Sequence, residues 1–316
     1  MYAPTRLAGY VVLSLTPVAL LARALFAGSA STATVGLEGG LVLAGGVAVA
    51  AERDRALGTP DAPELGRGEI IDALSVVAAA VLTYVLSVRF GLGPVVASAL
   101  VGLAAGAFAA EIAVPAYCGS FVGMASPDLF PSVGYLAVAG LLAGLAFVAA
   151  ERAFDGFGGK LGTLALFGCA ATAVLTGADY AAASALAWTQ AGLVVPVSVA
   201  GAVATAVLSV RLGLGAVVGS AVVGLVAGLP ALALGSGGTL AAAAFCASFV
   251  GMSSTDRLGG AGRVALAGAV CGLVFVTVAA AFSGAGGKLG TTAFVSCVTV
   301  AGAERLLGTG RAFPDN

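Results

Sequence analysis

The chain alternates between long apolar runs and short polar breaks, and this pattern predicts membrane-spanning helices. A bilayer core about 30 Å thick needs about 20 helical residues, and runs such as 7–27 and 70–88 reach that length. A spanning strand would instead show about ten residues of alternating polarity, a pattern that this sequence lacks. We therefore expect an all-α fold: a polytopic helical membrane protein with about 10–12 transmembrane segments, including short or re-entrant helices.

The predicted apolar elements follow one another with little sequence between them. They cover 7–27, 35–51, 70–88, 94–112, a short element around CGSFVGM, 134–150, a helix from GGKLGT to near 178, then 185–210, 215–234, 238–252, 263–282 and 287–303. We divide the chain into an N-terminal pair of transmembrane helices (1–51), a polar loop (52–69), a first repeat (70–182), a second repeat (183–307) and a C-terminal tail (308–316).

Matched motifs in the two halves of the chain indicate two internal repeats. The only two lysines, Lys160 and Lys288, both lie in the hexapeptide GGKLGT, 288 − 160 = 128 residues apart. Cys118 in CGSFVGM and Cys246 in CASFVGM keep this separation of 128 residues. The segments LSVRFGLG, from 86, and LSVRLGLG, from 208, are 122 apart, so the second repeat contains 128 − 122 = 6 further residues.

The relative orientation of the repeats depends on whether the short SFVGM element crosses the membrane. If it crosses, each repeat has an odd number of spans and the second repeat is inverted; if it returns, the repeats are parallel. We favour the inverted arrangement, which is common in duplicated carriers with short or broken helices. Arg6 and the cluster Arg53, Arg55 and Arg67 predict a multi-pass protein of the cell membrane with a cytoplasmic N-terminus.

Composition strengthens the membrane assignment and excludes several classes of function. Hydrophobic residues make up 60% of the chain and charged residues 9%, which is too little charge for the surface of a water-soluble domain. The chain has no histidine, and its five cysteines show no CxxC spacing, which argues against histidine-based catalysis and most zinc sites. We therefore expect no enzyme activity, no cofactor, no metal site and no nucleic-acid partner.

The two lysines are the strongest candidates for a binding site. Each follows glycines, Gly158 and Gly159 or Gly286 and Gly287, and opens an apolar helix. Free amides at a helix start form an anion site, which the ammonium group strengthens. The threonines Thr163 and Thr291 follow three residues after the lysines and add a hydroxyl. In the alternative interpretation, the lysines reach the membrane interface to contact lipid phosphate, and the glycines serve close helix packing.

The SFVGM elements offer a second matched pair of polar residues, Ser120 and Ser248. A short helix that ends inside the protein would present these hydroxyls to a cavity. Alternatively, the serines belong to a packing seam of small residues. We interpret Arg89 and Arg211 in the VRxGLG turns as interface anchors, and Arg23 with Glu38 as an ion pair across the first helical hairpin.

Two acidic residues without an acidic counterpart in the second repeat are candidates for coupling an ion or a proton. They are Asp72, which opens the first span of repeat one, and Asp155, which precedes the first GGKLGT motif. A carboxylate that is present in only one repeat is the natural carrier if transport is coupled. The alternative, which is the more common situation for such residues, is that each is a solvated helix end.

These features indicate a transporter or channel for a small, anionic solute. Its path would lie between the repeats and be lined by the GGKLGT and SFVGM motifs, with the lipid bilayer as the other partner. The alternative is a non-transport membrane subunit that packs against partner proteins or binds lipid head groups. A homo-oligomer is compatible with either function.

Overall fold

The computed structural model describes residues 4–26, 31–58 and 66–308, and this part of the chain is helical without any strand. The helices are α1 (Pro4–Phe26), α2 (Thr32–Leu57), α3 (Arg67–Tyr84), α4 (Gly93–Phe108), α5 (Ala113–Val122), α6 (Val133–Ala149), α7 (Lys160–Thr176), α8 (Ala191–Ala206), α9 (Ala216–Leu234), α10 (Gly238–Ser248), α11 (Ala261–Thr277) and α12 (Lys288–Leu306). The predicted C-terminal tail from 309 onward lies outside the described residues.

Among the residues that the structure describes, five helical stretches are long and apolar enough to cross a membrane. They are α1, α2, Arg67–Arg89, Trp188–Arg211 and α9. Shorter apolar helices of 10–17 residues include α4, α6, α7 and α11, together with Ala110–Val122 and Gly238–Met252, which contain α5 and α10. The predicted all-α class is confirmed, and the apolar helices fit a membrane protein.

The predicted polar loop at 52–69 is shorter than expected, because helix occupies both of its ends. Helix α2 continues to Leu57, and α3 begins at Arg67. The carboxylate of Glu52, 1% exposed, pairs with buried Arg257, and Ala56 is buried as well. At this helix end the Glu52 carboxylate therefore faces the protein, whereas Arg53, Asp54 and Arg55 are exposed, a difference that a pattern of polar letters does not reveal.

Helix packing follows the same order in the two halves of the chain. In the first half, α3 packs against α5 and α6, and α4 packs against α5. In the second half, α8 packs against α10 and α11, and α9 packs against α10. Contacts of α4 with α9 and of α7 with α12 join the halves, while α2 lies along α12. The short helices α5 and α10 are thereby enclosed in the centre of the protein.

Helices α3 and α8 each end in a single π-helical turn, Val85–Arg89 and Val207–Arg211. The chain then reverses through glycines, of which Gly91 and Gly213 have φ near +70°. Arg89 and Arg211 are exposed at these turns. Their positions fit the predicted role of anchors at a membrane surface.

Candidate functional site

Each lysine of the GGKLGT motifs is the first residue of a helix. The residues before them, Gly159 and Gly287, both have φ of +83°, a conformation that favours glycine. A β-carbon at either position would collide with the backbone of the helix opposite, α12 or α7 respectively. These glycines therefore allow the chain to turn into the helix while it touches its neighbour.

The two ammonium groups make equivalent hydrogen bonds. The Nζ atom of Lys160 donates to the carbonyl oxygen of Glu151 at 2.9 Å, and that of Lys288 donates to the carbonyl of Ala279 at 2.8 Å. Each acceptor lies nine residues earlier, just beyond the C-terminus of α6 or α11. An ammonium group carries three donors, so each lysine has N–H groups in addition to the one used in this bond.

Each lysine lines a cavity. The Lys160 cavity has a volume of about 290 Å³, and the Lys288 cavity about 270 Å³. The walls of the Lys160 cavity include Phe121, Glu151, Asp155, Gly156, Gly158, Gly159, Leu161, Ala216, Phe249 and Met252. The walls of the Lys288 cavity include Pro94, Phe121, Met124, Ser126, Phe249, Gly284, Gly287, Leu289 and Gly290.

The rings of Phe121 and Phe249 belong to the walls of both cavities, so they form the boundary that the two cavities share. Their centroids are 4.6 Å apart, and we call this pair the aromatic barrier. Phe245 packs against Phe249 at 4.7 Å, and Tyr117 packs against Phe121 at 4.4 Å. All four side chains are almost completely buried, so Tyr117 and Phe245 fix the positions of the two barrier rings by packing against them.

The first turns of α7 and α12 cross in close contact. A β-carbon at Gly162 would collide with the Gly290 backbone, and a β-carbon at Gly159 would meet Phe294. Contacts that move forward along one helix move backward along the other, so the two turns run antiparallel. Part of the glycine pattern therefore serves helix packing, as in the alternative interpretation of the sequence, and the same packing brings both lysine-bearing ends together.

The matched hydroxyls take part in internal hydrogen bonds. Thr163 and Thr291 are fully buried and donate to the carbonyl groups of Gly159 and Gly287, each at 3.2 Å. None of the described threonine or serine residues Thr163, Thr291, Ser120 and Ser248 is among the residues that line the two cavities. Gly286 lies against the Phe121 backbone, whereas Gly158, Gly159 and Gly287 do line a cavity.

Serine pairs tie the short helices to their neighbours. Ser120 bonds Ser98 at 2.9 Å, and Ser248 bonds Ser220 at 2.7 Å. The phenol of Tyr117 adds a contact to Ser220 at 2.9 Å that joins the two halves. Sequence reasoning missed Ser98 and Ser220, although their separation of 220 − 98 = 122 residues repeats that of the LSVR motifs.

The two acidic coupling candidates lie in different surroundings. Asp155 is exposed and lines the Lys160 cavity together with Glu151. Asp72 is half-buried in α3 and lines neither cavity. The structure thus brings Asp155 and Lys160 into one site and leaves Asp72 outside it.

The predicted ion pair between Arg23 and Glu38 is wrong. The guanidinium of Arg23 lies 4.5 Å above the ring of Tyr180 and 5.5 Å from that of Phe282. Burial raises the pKa of the Tyr180 phenol, against a smaller opposing effect of Arg23, so the ring stays neutral and the contact is of the cation–π type. The faces of the Tyr180 and Phe282 rings therefore take the place of the acidic partner that the sequence predicts for Arg23.

A buried ion pair holds the loop at the Lys160 cavity. The two guanidinium nitrogens of Arg257 bond both carboxylate oxygens of Glu52, one of them at 2.9 Å. The Nε atom of Arg257 donates to the carbonyl of Asp155 at 2.7 Å, and its guanidinium stacks 4.6 Å above Phe157. This contact ties α2 to the segment before Lys160. The residue 128 positions earlier in the chain, the separation of the two GGKLGT lysines, is Leu129 (257 − 128 = 129).

Comparison with models of known families, with curated proteins and with solved structures finds no match to this chain. Function must therefore be argued from the geometry of the two lysine cavities and of the barrier between them.

Proposed function

We propose that this protein is a multi-pass transporter or channel of the cell membrane that carries a small anion between its two halves. The observation that carries the proposal is the pair of cavities, each with one ammonium group in its wall, on the two sides of the aromatic barrier. A solute that moves from one cavity to the other would pass both lysines and the rings of Phe121 and Phe249.

The chemistry of the cavities favours negative charge. Each ammonium group stands at a helix N-terminus, where the partial positive charge of the helix adds to it. The side chains named above for the Lys288 cavity include no carboxylate. The Lys160 cavity carries Glu151 and Asp155 in its wall, which weakens its potential. We propose that an anion binds more tightly beside Lys288 than beside Lys160.

We propose that the two halves are inverted repeats. Several cavity residues correspond: Pro94 matches Ala216 at the 122-residue separation, and Met124 matches Met252 at the 128-residue separation. In each case one member lines the Lys288 cavity and the other lines the Lys160 cavity. The antiparallel first turns of α7 and α12 support the same arrangement.

Helix α1 supports the opening of the two cavities toward opposite ends of the protein. Near its start, Gly9 faces the backbone of Ala149 and Ala150, which leads to the Lys160 segment. Near its end, Arg23 stacks on Phe282, which leads to the Lys288 segment. A helix of 23 residues at about 1.5 Å per residue spans about 35 Å, the thickness of a bilayer core.

The charge distribution supports a cytoplasmic Lys160 end. From the helix contacts and chain connections described above, we assign most arginines to the Lys160 end of the protein. We assign Arg23 and Arg89 to the opposite end. The Lys160 end carries Arg6, Arg53, Arg55, Arg67, Arg152, Arg211, Arg257, Arg263 and Arg305. Positive charge is enriched on the cytoplasmic side of membrane proteins. This orientation places the N-terminus in the cytoplasm and gives about twelve membrane-embedded helices.

Tracer uptake into liposomes tests the proposal. The purified protein is reconstituted and supplied with chloride, nitrate, formate or phosphate, and with glycerol as a neutral solute. We expect at least one of the anions to enter faster than it enters protein-free liposomes, and glycerol to enter at the protein-free rate. If no anion enters faster, the proposal fails and the non-transport subunit is the better account.

The aromatic barrier gives a prediction for this assay. We expect the variant Phe249→Ala to raise anion uptake several-fold, because an apolar constriction excludes water and ions and the substitution removes half of it. The matched control is Phe245→Ala, which deletes the same volume from a buried ring behind the barrier. Equal uptake by the two variants, both recovered as monodisperse protein, would contradict a barrier at Phe249.

A further inference from the structure

Glu38 in α2 is a buried carboxyl group that makes no hydrogen bond to any of the described residues. The residue is 1% exposed, and within the described part of the chain neither of its carboxyl oxygens has a hydrogen-bond partner. A buried ionised carboxylate without a partner is strongly disfavoured. Burial without a partner therefore favours the protonated, neutral form of Glu38 in this conformation.

Charged groups on the neighbouring elements are engaged elsewhere or lie at a distance along the helices. Helix α2 packs against α1 and α12, whose titratable groups are Arg6, Tyr10, Arg23, Lys288, Cys297, Glu304 and Arg305. Tyr10 bonds the carbonyl of Val49, three turns from Glu38. Arg23 stacks on Tyr180 and Phe282, and Lys288 bonds the carbonyl of Ala279. A metal cation would need several converging oxygens, which leaves a proton as the ligand.

The packing of α2 on α12 places Glu38 near the level of the Lys288 site. Gly45 faces Val298, and Leu41 and Val295 belong to one apolar cluster. The two helices therefore run side by side in the same direction. Glu38, one turn before Leu41, lies level with the first turns of α12, the helix that Lys288 begins.

We propose that Glu38 is a proton-binding site whose release of a proton is linked to movement of α12. In its neutral form the carboxyl is compatible with the close packing seen here. Once ionised, the carboxylate stabilises any arrangement that brings water or a cation to it, and separation of α2 from α12, its most extensive packing partner, would do so. Coupling of the proton to anion movement rests on the proposed function, whereas proton binding by Glu38 does not.

Labelling of the full chain in liposomes with dicyclohexylcarbodiimide tests proton binding. A protonated carboxyl adds its O–H across one C=N bond of this apolar reagent, and no group leaves, so the labelled peptide gains the mass of the reagent. We expect label on Glu38 at about pH 6 and several-fold less at about pH 10, when a carboxyl that is open to proton exchange has ionised. Glu52 in the same helix is equally buried but paired with Arg257, and we expect it to stay unlabelled.

The variant Glu38→Gln completes the test. It should lose the label at this position, and the ratio of anion uptake with an inward proton gradient to uptake without one should fall to about one. Absence of label on Glu38 at both pH values, or equal labelling of Glu52, would overturn the proton site. Label on Glu38 in a protein that moves none of the four anions would instead refute the proposed function and leave the proton site intact.

Discussion

Replacing either lysine by methionine is expected to reduce anion uptake by about tenfold to a hundredfold, the loss that corresponds to one hydrogen bond to a charged group. Methionine keeps the length of the side chain and removes the charge. Because the Lys288 cavity lacks the acids that line the Lys160 cavity, we expect Lys288→Met to have the larger effect. Tracer uptake at several anion concentrations would measure it.

Arginine at the same positions separates a binding site from an interface anchor. The guanidinium keeps the charge but is larger and planar, so we expect Lys160→Arg and Lys288→Arg to reduce uptake several-fold. The control is Arg89→Gln, which removes a positive charge from an exposed turn and should leave uptake within about twofold of the native rate. Unchanged uptake of every anion in both arginine variants would contradict the site.

Removal of the Glu52 carboxylate is expected to lower the free energy of unfolding by about 3–5 kcal/mol, because it leaves the buried positive charge of Arg257 without a paired carboxylate. The variant Glu52→Ala would show this as a lower midpoint of thermal unfolding in detergent. The loss should be partly recovered in the double variant Glu52→Leu with Arg257→Leu, since leucine is buried at the matched position Leu129.

A second ion pair serves as the control for this experiment. Arg263 and Glu304 are 2.7 Å apart, but their side chains are 30% and 20% exposed. Partly solvated pairs contribute about 1 kcal/mol or less, so Glu304→Ala should have a much smaller effect on the unfolding midpoint. Equal losses in Glu52→Ala and Glu304→Ala would show that burial of Arg257 does not determine its contribution.

The sequence predicts the local structure of this protein well. Apolar runs place most of the helices within a few residues of their observed ends, and glycines before Lys160 and Lys288 correctly predict helix starts there. These features depend on residues that are close to one another in the sequence. The length and periodicity of the apolar runs therefore reveal them. The same is true of the short helices at the SFVGM motifs.

Contacts between distant segments are where sequence reasoning was incomplete or wrong. Glu52 and Arg257 are 205 residues apart, and Tyr117 and Ser220 are 103 apart. The sequence predicts a pair of Arg23 with Glu38 because the two residues flank the first loop at similar depth, whereas Arg23 stacks on the rings of Tyr180 and Phe282. The partner of a charged side chain is determined by distances in the folded protein, and a single sequence does not give those distances.

The most direct test of the account asks whether the two lysine cavities open on opposite faces of the membrane. Asp128 and Asp256 are exposed at matched positions in the loops that follow α5 and α10, and all five native cysteines are buried. Single variants Asp128→Cys and Asp256→Cys would be treated with a membrane-impermeant maleimide in vesicles of known orientation. We predict labelling of position 256 from the cytoplasmic face and of position 128 from the opposite face. Labelling of both positions from the same face would contradict this prediction.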